Sequence, residues 1–217
     1  MIENNNLIIS VDGPAGSGKE RIAKYISNKY NFFHLDSGTL YRRLAFLILK
    51  NNINSDNTNE LKIYVNSLES LNYKKHASLR NESISKTSSK IATLRFVRNL
   101  INIQQKKIVN KMLKKDKGCV IDGRDIGSNV FKEAKLKLFI EVNIKIRAKR
   151  RHKQLIEQGE KSIYGQILKE IKLRDKQDQE RKESPLIVPR GAIIIDNSSN
   201  FKETIKQINN ALIKIKQ

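Results

Sequence analysis

The sequence predicts an α/β fold in which a five-stranded parallel sheet is covered by helices on both faces. Five short runs read as continuous apolar segments rather than alternating ones, which is typical of strands buried on both faces. They lie at Leu7–Val11, Phe32–Asp36, Cys119–Asp122, Leu136–Val142 and Ala192–Asp196. Amphipathic stretches separate these runs, as expected when helices connect parallel strands.

The first strand leads directly into a glycine-rich loop that ends in a lysine. The loop reads Gly13-Pro14-Ala15-Gly16-Ser17-Gly18-Lys19. Its glycines can adopt backbone angles that other residues avoid, so that successive N–H groups can converge on one anion. The helix predicted after the loop adds a positive N-terminal end, and Lys19 can neutralise β- and γ-phosphate oxygens. This strand–loop–helix pattern is that of a P-loop, and it predicts a P-loop NTPase three-layer fold.

The two residues after the P-loop lysine depart from the usual pattern. A P-loop ordinarily continues with a serine or threonine whose hydroxyl holds Mg²⁺, whereas this chain has Glu20 and Arg21. We expect Glu20 to point to solvent and Arg21 to replace the lost contact with an α- or β-phosphate. The alternative is a strand–turn–helix whose glycines serve only close packing, but the strand before the loop and the amphipathic segment after it favour phosphate binding.

Length and composition bound the class of protein. A chain of 217 residues forms one large domain or a core with insertions. Residues 1–6 do not have the pattern of a signal peptide and no apolar run is long enough to span a membrane, so we expect a cytoplasmic protein without a membrane partner. Cys119 is the only cysteine, and its apolar neighbours favour a buried thiol over a reactive one. The three scattered histidines lack metal-ligand spacing.

The formal net charge of +21 raises the question of nucleic-acid binding. The lysines are scattered through the predicted helices rather than gathered in one stripe, so we predict no specific nucleic-acid partner. Nonspecific, salt-sensitive binding is still expected in vitro. No additional apolar helix face stands out, and we therefore predict a monomer.

The regions between the strands are predicted to be mostly helical. Helical spacing extends over Glu60–Leu71, and a single long helix is predicted at Ile91–Leu113, while the segment Tyr73–Ser89 has only a weak pattern. Further helices are predicted at Lys145–Gln158, Ile163–Arg181 and Phe201–Ile215.

Polar motifs follow three of the predicted strands. They are Gly13–Lys19, Asp36–Arg42 and Asp122–Asp125. Ligands of open α/β sheets bind beyond the carboxyl ends of the strands, so these motifs are expected to meet at one edge. Arg42 and Arg124 are therefore candidates for binding phosphate through their planar guanidinium groups, whereas Arg147 and Arg151 fit a phosphate site and a solvated surface equally well.

Two carboxylates of the third motif have candidate roles. Asp122 can hold a metal-bound water, and Asp125 can accept a hydrogen bond from a substrate amine. The alternative for both is helix capping or turn formation.

These motifs resemble those of bacterial cytidylate kinase, a family of nucleoside monophosphate kinases. The resemblance covers nearly the whole chain in order: Gly13–Lys19, then Leu35-Asp36-Ser37-Gly38-Thr39-Leu40-Tyr41-Arg42, Ile121-Asp122-Gly123-Arg124-Asp125-Ile126-Gly127, and Ile171–Asp175 with Asp178, Arg181 and Pro185-Leu186. The resemblance implies transfer of the γ-phosphoryl group of ATP to CMP or dCMP, with Mg²⁺ as cofactor.

The resemblance also implies a role for individual residues. The P-loop Gly13–Lys19, with Glu20 and Arg21, is expected to bind ATP, and Lys19, Arg124 and Arg150 are expected to be catalytic, with Arg150 as a lid arginine that closes on the transferring phosphoryl group. Arg42 and Arg124 are implied to grip the CMP phosphate with Arg181 nearby. The substrate-binding set is completed by Asp36, Ser37, Ser89, Arg98, Asp125, Arg174 and Asp178, of which Ser37, Arg98 and Asp125 face the cytosine and Arg174, Asp178 and Ser89 the sugar. No side chain is implied as a direct metal ligand, and Asp122 is expected to act through water.

The family pattern divides a single kinase domain into three parts. The core is expected at 1–50, 116–144 and 190–217, a substrate-binding insertion at about 51–115, and a helical lid at about 145–189. The stretch Leu71–Ser85 is too short for the small antiparallel insertion that this family usually carries. Selectivity among CMP, dCMP and UMP is therefore left open by the sequence.

Two other functions remain to be distinguished. One is a different P-loop kinase of small molecules, which the order and spacing of the second and third motifs argue against. The other is a non-enzymatic protein that binds nucleotides or nucleic acid through a degraded P-loop, which the retained charged positions argue against.

Overall fold

The computed structural model describes residues 7–115 and 117–213. It contains the predicted five-stranded parallel sheet, with the strand order β2-β3-β1-β4-β5. The strands are β1 (Ile8–Asp12), β2 (Phe33–Asp36), β3 (Cys119–Gly123), β4 (Leu136–Glu141) and β5 (Ile193–Asp196). The central strand β1 pairs in parallel with β3 on one side, where Asp12 lies opposite Gly123, and with β4 on the other. The carboxyl end of β1 therefore lies beside that of β3.

Helices connect the strands in the order expected for a parallel sheet. In the described residues they are α1 (Lys19–Tyr30), α2 (Ser37–Lys50), α3 (Thr58–Asn66), α4 (Glu82–Ile91), α5 (Arg95–Leu113), α6 (Ile144–Glu157), α7 (Tyr164–Glu180) and α8 (Phe201–Ile213). A short 3₁₀ helix lies at Ala77–Arg80, and a π-helical turn at Ile126–Val130. None of the helices in the described residues is long and apolar enough to cross a membrane.

The main core lies around the central strands. Ile9 and Val11 of β1 are fully buried and pack in one cluster with Ile22 and Ile26 of α1 and with residues of β4 and α8. Every residue of β1 and β3 is buried, which explains why both strands read as unbroken apolar runs. Cys119 belongs to this interior, and burial raises the pKa of its thiol to about 12, as expected for an unreactive thiol.

The described chain divides into two compact units. The chain up to His34, together with the chain from Lys117 onward, forms the first unit, and the residues from Leu35 to Lys115 form the second. The finer division into core, insertion and lid stays a prediction.

The second unit differs from the sequence prediction in its helices. The single helix expected at Ile91–Leu113 is wrong: α4 ends at Ile91 and α5 begins at Arg95. Leu94 has an extended backbone, with φ −87° and ψ 126°, which interrupts the helical hydrogen bonds. The Thr93 hydroxyl donates to the carbonyl of Lys90, and Arg98 Nη1 donates to the carbonyl of Ala92, so the carbonyls released by the break have new donors.

Helix α3 is shorter than predicted. The side chain of Asn57 caps its start by accepting from the N–H of Glu60, and the hydroxyl of Ser67 donates to the carbonyl of Tyr64 near its end. These local bonds end the helix before Leu71. Helix α8 begins at Phe201 as predicted and is described to Ile213, so the last two residues of that prediction lie outside the described residues.

Candidate active site

The P-loop has a backbone that only glycine adopts easily. Gly16 and Gly18 have φ of 70° and 82°, in the left-handed region that disfavours residues with a Cβ atom. A Cβ at Gly13 would meet the carbonyl oxygen of Ile140 at 2.6 Å. Helix α1 begins at Lys19, so its unpaired N-terminal N–H groups adjoin the loop and can bind an anion. The Lys19 ammonium lies within the loop and donates to the carbonyl of Pro14 at 3.1 Å.

The residues that follow the lysine begin the helix. Glu20 occupies its first turn, where a carboxylate stabilises the helix dipole. The guanidinium of Arg21 is 3.7 Å from the centroid of the Phe201 ring, in a cation–π contact between α1 and α8. Sequence reasoning could not find this contact, because Phe201 is 180 positions away and belongs to a helix with no recognisable motif.

A buried asparagine supports the P-loop from the end of β5. The side-chain amide of Asn197 donates to the carbonyl of Ser17 at 2.8 Å, and its Oδ1 accepts from the hydroxyl of Thr204 at 2.8 Å. Asn197 also packs so closely on the loop that a Cβ at Gly18 would lie 2.5 Å from its Nδ2. Sequence reasoning missed this residue because Asn after a strand is usually a turn former.

Asp12 joins the start of the P-loop to the loop that follows β3. Its two carboxylate oxygens accept from the N–H groups of Ile126 and Gly127 at 2.8 and 2.7 Å. Burial raises the pKa of Asp12 to about 7, although the two N–H donors and Lys19 act in the opposite direction. The carboxylate thus fixes the loop containing Arg124 and Asp125 relative to the P-loop.

The third motif and helix α7 bring five predicted residues together. Arg124 Nε donates to Asp178 Oδ2 at 2.8 Å, and Arg181 Nη1 donates to Asp178 Oδ1 at 3.3 Å. Arg174 Nε lies 3.9 Å from Asp178, and Arg181 Nη2 lies 3.8 Å from Asp125. Arg124, Asp125, Arg174, Asp178 and Arg181 therefore form one cluster with three guanidinium groups and two carboxylates.

The charge of this cluster controls the titration of Asp178. Burial alone would raise the pKa of Asp178, but the positive charges of Arg124, Arg174 and Arg181 outweigh it and lower the pKa below its ordinary value. Three guanidinium groups around one carboxylate leave an excess of positive charge. Such a cluster can bind a phosphate or a sugar hydroxyl group.

The end of β3 carries a second carboxylate. Asp122 is buried, and its Oδ1 lies 2.6 Å from His34 Nε2 on β2. A carboxylate accepts about four hydrogen bonds, so Asp122 can hold a metal-bound water besides His34. His34 was missed at the sequence level because an isolated histidine in an apolar run carries no motif.

The arginines of helix α6 have different environments. Arg147 is buried and forms two hydrogen bonds with Asp175, at 3.0 and 2.6 Å, and a third with the carbonyl of Ala15 in the P-loop. Arg147 is therefore not a solvated surface arginine, which was one of the two alternatives that the sequence allowed. Arg150 is exposed and donates to the carbonyls of Ser198 and Ser199 at 3.4 and 3.2 Å. Exposed Arg151 donates to Gln154 Oε1 on its own helix.

The second unit holds the remaining predicted residues. Arg42 Nη2 and the hydroxyl of Thr39 both donate to Asp36 Oδ2, at 2.7 and 2.9 Å. This bond places the guanidinium of Arg42 at the N-terminal turn of α2, where buried Ser37 begins the helix.

Two further predicted residues of this unit lie on α5 and α4. Arg98 is 3 % exposed, with its guanidinium 5.9 Å from the centroid of the Tyr41 ring. Ser89 is half-buried on α4.

The fold and these sites together define a class of protein. A P-loop after β1 and an arginine cluster after the neighbouring strand β3 are the parts that a P-loop kinase needs to hold a nucleoside triphosphate and a phosphate acceptor. Among solved structures, TT1252 from Thermus thermophilus is similar, with a TM-score of 0.52 and 13 % identity over 97 % of this chain and 98 % of that one. At that identity the likeness concerns the fold alone.

Comparisons of sequence define the family. A family model described as cytidylate kinase matches residues 9–217. A cytidylate kinase of Fusobacterium nucleatum is 36 % identical over 228 residues, covering 98 % of this chain and 100 % of the relative. One from Clostridium botulinum strain Langeland is 38 % identical and covers 95 % and 98 %, and one from Rickettsia akari is 38 % identical and covers 94 % and 91 %. The chain belongs to the cytidylate kinase family, and the resemblance predicted from its motifs is confirmed.

Proposed function

We propose that this protein transfers the γ-phosphoryl group of ATP to CMP or dCMP, giving ADP and CDP or dCDP. The observation that carries this proposal is the adjacency of β1 and β3. Their parallel pairing puts the P-loop beside the strand end that bears Arg124, and Asp12 bonds the two loops together. Such an arrangement can bring a donor and an acceptor phosphate near each other, which is the main requirement of phosphoryl transfer.

The ATP half of the site is built from Gly13–Lys19. Its N–H groups and the start of α1 bind the phosphates, and Lys19 neutralises charge on the β- and γ-oxygens as it develops. Arg21 contacts the Phe201 ring through the face of its guanidinium, so the N–H groups at the edge can still donate to an α- or β-phosphate. The variants R21A and F201L test that contact.

The other half of the site binds the acceptor, CMP, through its phosphate, its sugar and its base. Arg124 and Arg181 contact the CMP phosphate, where the planar guanidinium can bind two oxygens. A contact of Arg42 with this phosphate stays a prediction of the sequence. Arg174 and Asp178 contact the sugar, and Asp125 accepts from the 4-amino group of cytosine. The remaining acceptor residues are Asp36, Ser37, Ser89 and Arg98.

The transfer step needs little covalent help from the protein. An oxygen of the CMP phosphate forms the new bond to the γ-phosphorus while the bond to the β-bridging oxygen breaks and ADP leaves. Negative charge on the transferring oxygens is stabilised by Lys19, Arg124 and Arg150. For Arg150 this requires release from the carbonyls of Ser198 and Ser199.

Members of a kinase family use a nucleotide-associated divalent metal, and we propose Mg²⁺. The donors fit this ion, because Mg²⁺ prefers oxygen ligands and keeps several waters. The carboxylate of Asp122, held by His34, would bind one of those waters. When bound, the ion neutralises phosphate charge. A role in pyrimidine nucleotide metabolism follows from the proposed reaction, and a cytoplasmic location and a monomeric state stay predictions of the sequence.

A coupled assay of ADP release tests the proposal. We expect turnover of Mg·ATP with CMP and dCMP and much less with UMP or AMP. The variant K19A should lose at least 100-fold in kcat, whereas K24A, on the exposed face of the same helix, should keep it. A protein that binds ATP and CMP but turns over no acceptor would contradict the proposal and favour a non-enzymatic nucleotide-binding protein.

A further inference from the structure

The side chain of Asn129 has no role in the proposed phosphoryl transfer, yet it contacts Asp125. Its side-chain Nδ2 lies 3.3 Å from Asp125 Oδ2 and 2.9 Å from the hydroxyl oxygen of Ser184. A carboxylate oxygen only accepts, so the atom that faces Asp125 must be the amide nitrogen. The amide of Asn129 therefore donates to both Asp125 and Ser184.

The backbone holds Asn129 in this position. The N–H groups of Asn129 and Val130 both donate to the carbonyl of Asp125, at 2.9 and 3.1 Å, which forms the π-helical turn at Ile126–Val130. Asp12, at the end of β1, holds the same turn by accepting hydrogen bonds from the N–H groups of Ile126 and Gly127. Turns of this kind are rare and often occur at functional sites. The Asn129 side chain is thus presented to Asp125 by a rigid segment.

Ser184 links Asn129 to the arginine cluster. It lies in the turn after α7, with a left-handed φ of 52°, and its carbonyl accepts from Arg181 Nε at 2.8 Å. Arg181 Nη2 lies 3.8 Å from Asp125 Oδ1, the oxygen that Asn129 does not contact. Asn129 therefore holds one oxygen of Asp125 by a hydrogen bond, while Arg181 attracts the other oxygen electrostatically at ion-pair distance.

We propose that Asn129 is a positioning residue that sets base selectivity by orienting Asp125, and that Ser184 fixes the amide of Asn129. The inference rests on the proposed function, in which Asp125 accepts from the 4-amino group of cytosine. Uracil has a carbonyl oxygen in place of that amino group, and two acceptors repel each other. Discrimination of this kind depends on a carboxylate that cannot turn away from the base.

The test compares kinetic constants for CMP and UMP at saturating Mg·ATP. N129L keeps the branched shape of the side chain and removes both donors, whereas N129H retains a ring nitrogen that can donate at a similar position. S184A removes the second partner of the amide. S128A is the matched control, because Ser128 lies on the same π-helical turn and forms no side-chain hydrogen bond within the described residues.

We expect N129L to raise the KM for CMP about tenfold, with a smaller change in kcat and an unchanged KM for ATP. The preference for CMP over UMP should fall about tenfold, N129H should recover part of it, and S128A should not change it. S184A should act in the same direction and add little to N129L, because Ser184 acts through Asn129.

Wild-type turnover of CMP with an unchanged CMP-to-UMP preference in N129L and S184A would overturn the role of Asn129 and leave the proposed function intact. Failure of the wild-type protein to phosphorylate CMP would instead overturn the proposed function and this inference with it. If N129L does not fold by circular dichroism, S184A decides, since loss of one hydroxyl at a half-exposed turn preserves the backbone.

Discussion

The side-chain amide of Asn197 donates to the carbonyl of Ser17 and is itself held by the hydroxyl of Thr204. A residue at the end of β5 thus sets the conformation of the loop that binds the ATP phosphates. This bond adjoins Gly18, whose left-handed backbone begins α1. The P-loop is therefore supported from outside its own motif, just before Lys19.

We expect N197A to weaken ATP binding more than CMP binding. Loss of the amide leaves the buried carbonyl of Ser17 without its donor, which costs about 1–3 kcal/mol. The loop would then present its N–H groups less precisely, so the KM for Mg·ATP should rise about tenfold while the KM for CMP changes little. N209A is the control, because Asn209 also joins α8 to α1, through Tyr25 and Lys29. An equal rise in the KM for Mg·ATP in both variants would show that Asn197 affects ATP binding only through the packing of α8 on α1.

The contact between Arg21 and Phe201 gives a second prediction. A cation–π pair of this kind contributes about 0.5–1 kcal/mol at an exposed site, so R21A should lower the free energy of unfolding in urea by that amount. In the background of F201L, the same change should cost almost nothing.

The ATP kinetics of the same variants test the phosphate contact expected from the sequence. If Arg21 binds an α- or β-phosphate, R21A raises the KM for ATP and F201L does not. An unchanged KM for ATP in R21A would contradict that contact and leave Arg21 as a packing residue alone.

The fold was predictable because its signals are local. The apolar runs of β1 and β3 indicate buried strands, and the glycines of the P-loop indicate a left-handed backbone. The motif residues Arg124, Asp178 and Arg181 were predicted from the family pattern, and the structure brings them into one cluster. Asn129, Asn197 and His34 could not be found in this way. Each acts through a partner distant in sequence or through an unusual turn, and polar residues of these types follow many strands without any function.

The break between α4 and α5 in the second unit could not be predicted from the sequence either. The apolar periodicity from Ile91 to Leu113 is continuous, but the helix breaks before α5, where buried Arg98 donates to the carbonyl of Ala92. A local hydrogen bond from a side chain to the backbone leaves no trace in the spacing of apolar residues.

The pKa of Asp12 predicts how stability depends on pH. The folded protein has this pKa raised to about 7 from 3.8, so between these values it holds a proton that the unfolded chain has lost. The contribution of Asp12 to the free energy of unfolding is therefore greatest below about pH 4, and it falls by a few kcal/mol as the pH rises to 7. In D12N this decline should be absent, and urea unfolding at pH 5, 6 and 7 measures it. A parallel decline in D12N and wild type would show that Asp12 does not titrate in this range.

The lowered pKa of Asp178 predicts that its contribution to stability depends on pH in the opposite direction. Its pKa is lowered in the folded protein by Arg124, Arg174 and Arg181, although burial acts against them, so it contributes stability that is present above about pH 4 and lost as the pH falls through the lowered pKa. D178N leaves three guanidinium groups without their shared carboxylate, and removal of one partner of a buried ion pair costs about 3–5 kcal/mol. We expect urea unfolding to show a loss of roughly that size at pH 7, and a difference between variant and wild type that shrinks by up to about 1 kcal/mol as the pH falls from 4 to 3. Exposed E180Q on the same helix should show almost no loss at either pH. A pH-independent difference for D178N would mean that the cluster is stabilised by packing rather than by charge.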